Sequence, residues 1–152
     1  MDTEATEITV PTPLYDTSDR APAANAPERD LPPAMRAVFE ALRKSCLTIP
    51  GVEENIRHEG PVWKWIWAYE VDGFTICVIH PMNDSVDLSF PLPTRFEPLY
   101  KESGLDELVV KGISKGGIAA RVRYVRFNVP DMESGSKIFA AVEYKLKLLS
   151  KS

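Results

Sequence analysis

The chain has 152 residues, of which 44% are hydrophobic and 26% charged, and its formal net charge is −4. These proportions are ordinary for one soluble globular domain, and no apolar run is long enough to cross a bilayer. No secretory signal is visible at the acidic N-terminus, and two isolated cysteines exclude a disulfide framework. Cys46 and Cys77 lie in apolar surroundings, which predicts buried thiols in a reducing compartment and a cytoplasmic protein.

The charge is unevenly distributed. Residues 1–30 contain seven acids, two bases and four prolines, whereas the rest of the chain has a net charge of +1. Because this segment has no apolar periodicity, its burial cannot offset the entropy of ordering it. We therefore predict a disordered acidic Pro/Ala-rich leader over 1–30, a simple linker or a docking segment, and a single domain over 31–150.

The remaining pattern predicts an α+β fold. An apolar stripe predicts an N-terminal helix over 32–48, with Asp30 as its N-cap, and Pro130-Asp131 opens a C-terminal helix. Between them we predict an antiparallel sheet of about four to five strands, with the helices mainly on one face. Its segments are a strand or loop at 52–59, strands at 62–71, 74–80 and 85–90, a broken helix at 94–102, a glycine-marked loop at 112–117 and a long strand at 118–129.

A ladder of aromatic residues dominates strand 62–71. Trp63, Trp65, Trp67 and Tyr69 occupy alternate positions, so they should share one face of the strand. The hairpin signal Asp72-Gly73 sets a register in which paired residue numbers sum to 145. That register places the ladder opposite Phe74, Ile76, Val78 and His80, and such a face is either apolar core or a stacking platform for a ligand.

The register of strand 85–90 decides between these two interpretations. If pairs with strand 74–80 sum to 167, Asp87 faces His80 and Ser89 faces Val78, which gives a polar rim beside an aromatic floor. If the sum is 166, the apolar residues of strand 85–90 join the ladder and the face is plain core.

A basic stretch runs through Lys111, Lys115, Arg121, Arg123 and Arg126 without an intervening acid. Its glycine-separated lysines favour binding of an anionic group, and the alternative is a solvated strand edge. Tryptophans beside arginines are also typical of single-stranded nucleic-acid binding. The near-zero charge of the domain argues against nucleic acid as a partner.

Other chemistry has weaker signals. The metal candidates are Glu53, Glu54, His58, Glu59 and Asp87, which lack the regular spacing of a metal motif. The setting of the two cysteines is not that of a reactive thiol, and no acid–base pair can be assigned. The sequence therefore favours a non-enzymatic protein and predicts no cofactor.

Several of these segments, in this order, resemble the YdhG-like domains, small bacterial α+β proteins of which one branch is described as frataxin-like iron chaperones. The resemblance covers about 31–149 and rests on the 32–48 helix, Gly60-Pro61-Val62-Trp63, the Asp72-Gly73 hairpin, 86–90 and 121–127. It implies a shared cleft around Pro61, Trp63, Lys115 and Arg123, and it makes iron a possible ligand. Arg57-His58 stands where typical members have lysine and tryptophan, so the iron role transfers poorly.

The predicted function is binding of a small anionic ligand in a cleft between the tryptophan strand and the 111–126 segment, by a monomer or weak homodimer. A frataxin-like iron chaperone is the first alternative, and a module for single-stranded nucleic acid is the second. The predicted ligand-binding residues are Pro61, Trp63, Trp65, Trp67, His80, Asp87, Lys115, Arg121 and Arg123.

Overall fold

The computed structural model describes residues 13–15 and 20–151. One six-stranded antiparallel sheet forms its centre, in the order β1-β2-β3-β4-β6-β5. The α+β prediction is confirmed, with six strands where four to five were expected. The elements are α1 (Pro27–Asp30), α2 (Pro33–Leu47), β1 (Glu53–His58), α3 (Gly60–Trp63), β2 (Trp65–Val71), β3 (Phe74–Pro81), β4 (Val86–Pro93), a 3₁₀ turn (Thr94–Phe96), α4 (Glu97–Lys101), α5 (Glu107–Ile113), β5 (Gly117–Ala119), β6 (Val122–Asn128) and α6 (Met132–Ser150).

The main core lies between one face of the sheet and the two long helices. The apolar stripes of α2 and α6 pack against β3 and β4. Trp67 and Leu88 are fully buried in this layer, as are Phe39 of α2 and Val142 of α6. At the start of α6, Asp131 accepts a hydrogen bond from the Ser134 N–H at 2.7 Å and so caps the helix that Pro130-Asp131 was predicted to open. We call this side of the sheet the core face and the other side the open face.

The hairpin of β2 and β3 contains a bulge that the sequence did not predict. Val71 pairs with Phe74, as the Asp72-Gly73 turn predicts, but the register shifts between Tyr69 and Glu70. Tyr69 then pairs with Cys77 and Trp67 with Ile79, so the predicted pairing of the ladder with Ile76 and Val78 is wrong. An extra residue in one strand reverses the face of every side chain beyond it.

The register between β3 and β4 follows the 167 alternative, because Val78 pairs with Ser89 and His80 with Asp87. The predicted polar rim therefore exists. With the bulge in place, however, it lies on the open face, opposite Trp67.

Four further boundaries differ from the predictions. Trp63 belongs to α3 and not to the strand, because the backbone turns at Lys64 (φ 54°). The predicted strand 118–129 is a hairpin of β5 and β6, with Ala120 and Arg121 at its turn (φ 52° and 64°). Asp30 ends α1 and does not cap α2, and the predicted loop at 112–117 begins inside α5.

At one end of the sheet, the hydrogen-bonded ladder between β3 and β4 ends before the strands do. The ladder of β3 with β4 stops at Val78 and Ser89, before Pro91 and Pro93, which have no N–H to donate. Lys145 of α6 enters from the core face, and its ammonium donates to the carbonyls of Thr75 (3.1 Å) and Ile76 (3.0 Å). This buried lysine supplies charged donors where the strand ladder has ended.

Part of the predicted leader contacts the domain. The Trp67 Nε1–H donates to the Ala24 carbonyl at 2.9 Å, and the centroid of the Tyr15 ring lies 6.1 Å from that of the Trp67 ring. Ala26 is buried. The packed unit thus begins before residue 31, whereas 1–12 and 16–19, where disorder was also predicted, lie outside the described residues. Among the helices of the described part, none combines the length and apolar character that crossing a membrane requires.

Candidate functional site

A cavity of about 580 Å³ lies on the open face of the sheet. Its floor is apolar and comes from alternate residues of neighbouring strands: Ile66 of β2, Val78 of β3, Pro91 of β4 and Tyr124 of β6. Ile66 and Val78 are buried, together with Ala68, in a small cluster separate from the main core. Within the described residues 13–15 and 20–151, no helix covers this face as α2 and α6 cover the other, so the floor is left open to a ligand.

One wall of the cavity is Trp63. The short helix α3 sits between Gly60 (φ 86°) and Lys64, and the Glu59 N–H closes the loop on the Lys64 carbonyl at 2.7 Å. This loop leaves Trp63 48% exposed, with its ring centroid 4.7 Å from the Arg126 guanidinium carbon. The same ring lies 5.6 Å from that of His80. Trp63 is therefore an aromatic wall with a cation against it.

His80 and Ser89 form a polar pair inside the cavity. His80 Nε2 lies 2.7 Å from Ser89 Oγ, and both residues line the cavity. Burial, and secondarily the charge of Arg126, lower the pKa of His80 to about 3. The imidazole is thus neutral at physiological pH and is a weak base, which suits hydrogen bonding to a ligand better than activation of the serine.

Arg126 is held by a carboxylate on the same face. Its Nε–H donates to Asp87 Oδ2 at 2.8 Å, and the Asn128 amide donates to Asp87 Oδ1 at 3.1 Å. The charge of Asp87 is therefore matched by Arg126, and the guanidinium keeps a fixed orientation between Asp87 and Trp63.

Two charged residues stand at the rim. Lys115 and Glu59 both line the cavity. Glu59 lies 3.3 Å from Arg57, which also pairs with Glu70 at 2.8 Å, whereas Lys115 has no ion-pair partner within 13–15 and 20–151. Lys115 is thus the uncompensated charge of the site.

The structure brings together only part of the predicted ligand-binding set. Trp63, His80 and Lys115 line the cavity, and Asp87 contacts it through Arg126. Trp67 is buried in the core and Trp65 packs against it, so neither belongs to the site. The other three predicted residues lie outside the lining: Pro61 on the exposed side of α3, Arg121 in the β5–β6 turn and Arg123 bonded to Glu97 and to backbone carbonyls.

The metal candidates are dispersed. Glu54 binds Arg43 and the Tyr69 hydroxyl, His58 packs edge-on against Trp65, and Glu53 lies exposed at the start of the edge strand β1. Across the part of the chain that the structure describes, no three His, Cys, Asp or Glu side chains are grouped as a metal ion would need.

The sequence reasoning did not select Arg126 or Tyr124. The pairing of β4 with β6 brings both residues to the site, because Ser89 pairs with Arg126 and Pro91 pairs with Tyr124. Treating 118–129 as one strand left its pairing with β4 undefined. A register for β6 would have placed Tyr124 and Arg126 beside Ser89, on the same face as His80.

Comparison of the chain with protein-family models, with curated proteins and with solved structures gives no match. The YdhG-like resemblance therefore stays a prediction, carried by the short motifs quoted for it.

Proposed function

We propose that this protein binds a small amphipathic monoanion in the open-face cavity. One observation carries the proposal: an uncompensated lysine and an oriented arginine line the same predominantly apolar cavity of about 580 Å³. Sites for small molecules are commonly apolar clefts with a few placed polar groups that fix orientation. The apolar body of the ligand would lie on Ile66, Val78 and Tyr124.

The pairing of charges supports a ligand with one negative charge. Asp87 already matches Arg126, and Glu59 shares Arg57 with Glu70, which leaves Lys115 as the cation at the cavity that has no ion-pair partner within residues 13–15 and 20–151. The terminal nitrogens of Arg126 add directional donors without adding an unmatched charge. The neutral His80–Ser89 pair contributes a hydrogen bond that persists across physiological pH.

Binding is better supported than catalysis. A general base works best with a pKa near the operating pH, and burial holds the pKa of His80 at about 3. Asp87, which could have oriented the imidazole, is engaged by Arg126 and Asn128. Iron binding and single-stranded nucleic-acid binding remain predictions from the sequence, and the burial of Trp67 removes one of the surfaces on which bases were to stack.

The test is calorimetric titration with two probes of matched shape, 1-naphthoate and the neutral 1-naphthamide. We expect the carboxylate to bind more tightly, and Lys115→Gln to weaken it by about 3- to 10-fold while leaving the amide unchanged within about 2-fold. Lys111→Gln is the matched control, because Lys111 lies in the same basic stretch but pairs with Glu107 and does not line the cavity.

A second variant tests the location of binding. Val78→Phe places a larger side chain on the cavity floor, so both probes should lose affinity while the fold is retained. Equal affinity of the two probes in the wild-type protein, or binding unaffected by Val78→Phe, would contradict the proposal.

A further inference from the structure

We infer that Arg123 is a positioning residue: it holds the Ser114–Gly116 turn against β6 and so keeps the Lys115 ammonium at the cavity. This inference rests on the proposed function, since Lys115 is the charge expected to meet the ligand. The sequence predicted a direct ligand contact for Arg123. The structure gives it other partners.

The hydrogen bonds of Arg123 bracket Lys115 in the chain. Its Nη1 donates to the Ser114 carbonyl at 3.0 Å and to the Gly116 carbonyl at 2.6 Å. The carbonyls immediately before and after Lys115 are therefore fixed to one guanidinium group. With the carbonyls of Ser114 and Gly116 held, the backbone on either side of Lys115 has little freedom to turn its side chain away from the cavity.

The guanidinium is itself oriented from the opposite side. Arg123 Nε donates to Glu97 Oε2 at 3.0 Å, and both side chains are largely buried, at 16% and 20% exposure. Glu97 begins α4, so the turn is coupled to an element that does not line the cavity. A planar fork that engages a carboxylate and two carbonyls at once is specific to arginine, and the single ammonium of lysine cannot reproduce it.

The backbone of the turn is pressed closely against β6. A Cβ added at Gly116 would lie 2.3 Å from the Tyr124 carbonyl oxygen and 3.2 Å from the Arg123 side chain. Only glycine permits this approach. Gly116→Ala should therefore displace the same turn by an independent route, without touching any charge.

Two amide protons report directly on the turn. The Lys115 N–H donates to the Gly112 carbonyl at 3.2 Å, and the Gly116 N–H donates to the Ile113 carbonyl at 3.3 Å. If Arg123 holds the turn, hydrogen exchange at these two amides should accelerate by about 10-fold or more in Arg123→Gln. Exchange at Val125, in the centre of β6, should be unchanged.

A double-mutant cycle with the two naphthyl probes distinguishes a positioning role of Arg123 from a direct ligand contact and from a purely structural role. Arg123→Gln should weaken 1-naphthoate by about 3- to 10-fold, leave 1-naphthamide within about 2-fold, and add less than about 2-fold once Lys115 is already Gln. A direct contact would instead give additive losses of 1-naphthoate affinity, and a purely structural role would reduce the affinity of both probes alike. Either pattern overturns the inference.

Two further variants keep the inference falsifiable. If Arg123→Gln does not fold, Glu97→Gln with Arg123→Gln removes both buried charges together, and Gly116→Ala tests the turn alone. If the wild-type protein binds neither probe, the proposed function fails. Faster exchange at Lys115 and Gly116 then still supports the anchoring role of Arg123, whereas unchanged exchange overturns it.

Discussion

The two faces of the sheet are built from alternate residues of the same strands, yet they differ in what covers them. On the core face, Trp67, Leu88 and Val125 are fully buried beneath α2 and α6. On the open face, one residue along each strand, Ile66, Ser89 and Arg126 line a cavity. The core face is filled by apolar groups, whereas the open face combines an apolar floor with polar groups that largely satisfy one another.

The difference shows why the tryptophan ladder does not act as a unit. Its members look equivalent in sequence, but the backbone at Lys64 sends Trp63 to the open face while Trp65 and Trp67 pack on the core side. The two faces should therefore respond differently to the same kind of substitution.

The largest expected effect is on stability. Trp67→Ala removes a fully buried indole that packs against Phe39 and donates to the Ala24 carbonyl, so the free energy of unfolding should fall by about 3–5 kcal/mol. Trp63→Ala, on the open face, should lower it by less than about 1 kcal/mol. Chemical denaturation followed by circular dichroism measures both. Comparable losses would show that the open face is as tightly packed as the core.

The second prediction concerns acid. The pKa of His80 is about 3 in the folded protein because of burial and the nearby Arg126 charge, against about 6.5 when unfolded. Below pH 6.5 the unfolded state binds the additional proton, so stability falls as the pH falls. This group should contribute a loss of about 3 kcal/mol between pH 6.5 and 4.

The measurement is urea denaturation of the wild type and of His80→Gln at intervals across that range. His58→Gln is the matched control, because His58 is the last residue of β1 and packs edge-on against Trp65 on the core face. If His80→Gln retains the wild-type pH dependence, the imidazole is already charged in the folded state, and the open face is wetter than its geometry indicates.

The third prediction uses the buried lysine of the core face. Burial lowers the pKa of Lys145 to about 8, below the usual 10.5, so the unfolded state binds the additional proton between these values. The contribution of Lys145 to stability should therefore rise with pH, by about 2 kcal/mol between pH 8 and 9.5.

Other groups titrate in the same range, so the comparison is the difference between the wild type and Lys145→Met at each pH. The free energy of unfolding of the wild type, minus that of Lys145→Met, should increase steadily as the pH rises. A constant difference would mean that the two hydrogen bonds that the ammonium donates to the carbonyls of Thr75 and Ile76 preserve its charge and its ordinary pKa.

The sequence could predict much of this arrangement but not all of it. Period-2 alternation, the Asp72-Gly73 turn and the helical stripes were sufficient for the α+β sheet, but they left the register of β4 open between sums of 167 and 166, and only the structure selects 167 by pairing His80 with Asp87. The bulge was hidden because Ile76, Cys77 and Val78 are all apolar, so a shift of one residue leaves the pattern unchanged.

The site was harder to predict than the fold, for a local reason. The β5–β6 turn has Ala120 and Arg121 at positive φ, where glycine, asparagine or aspartate would have signalled a hairpin. Without that signal, Arg123 and Arg126 looked alike. Only the pairing of β6 with β4 shows that Arg126 faces the cavity while Arg123 alternates to the other side.

The smallest effect on stability, and a direct test of access to the two faces, concerns thiols. Cys46 and Cys77 lie with their sulfurs 3.6 Å apart and fully buried on the core side, and the Cys77 hydrogen bond together with burial raises the pKa of the Cys46 thiol. At pH 8 neither should react with Ellman's reagent until the protein unfolds, because both thiols are fully buried. Ser89→Cys should leave stability nearly unchanged and add one thiol that reacts in the folded state, since Ser89 lines the open cavity. Modification of this thiol should also block the binding of 1-naphthoate.

Reaction of the native thiols as fast as this third one would show that the core face opens on the same timescale. The distinction between the two faces would then be one of composition alone.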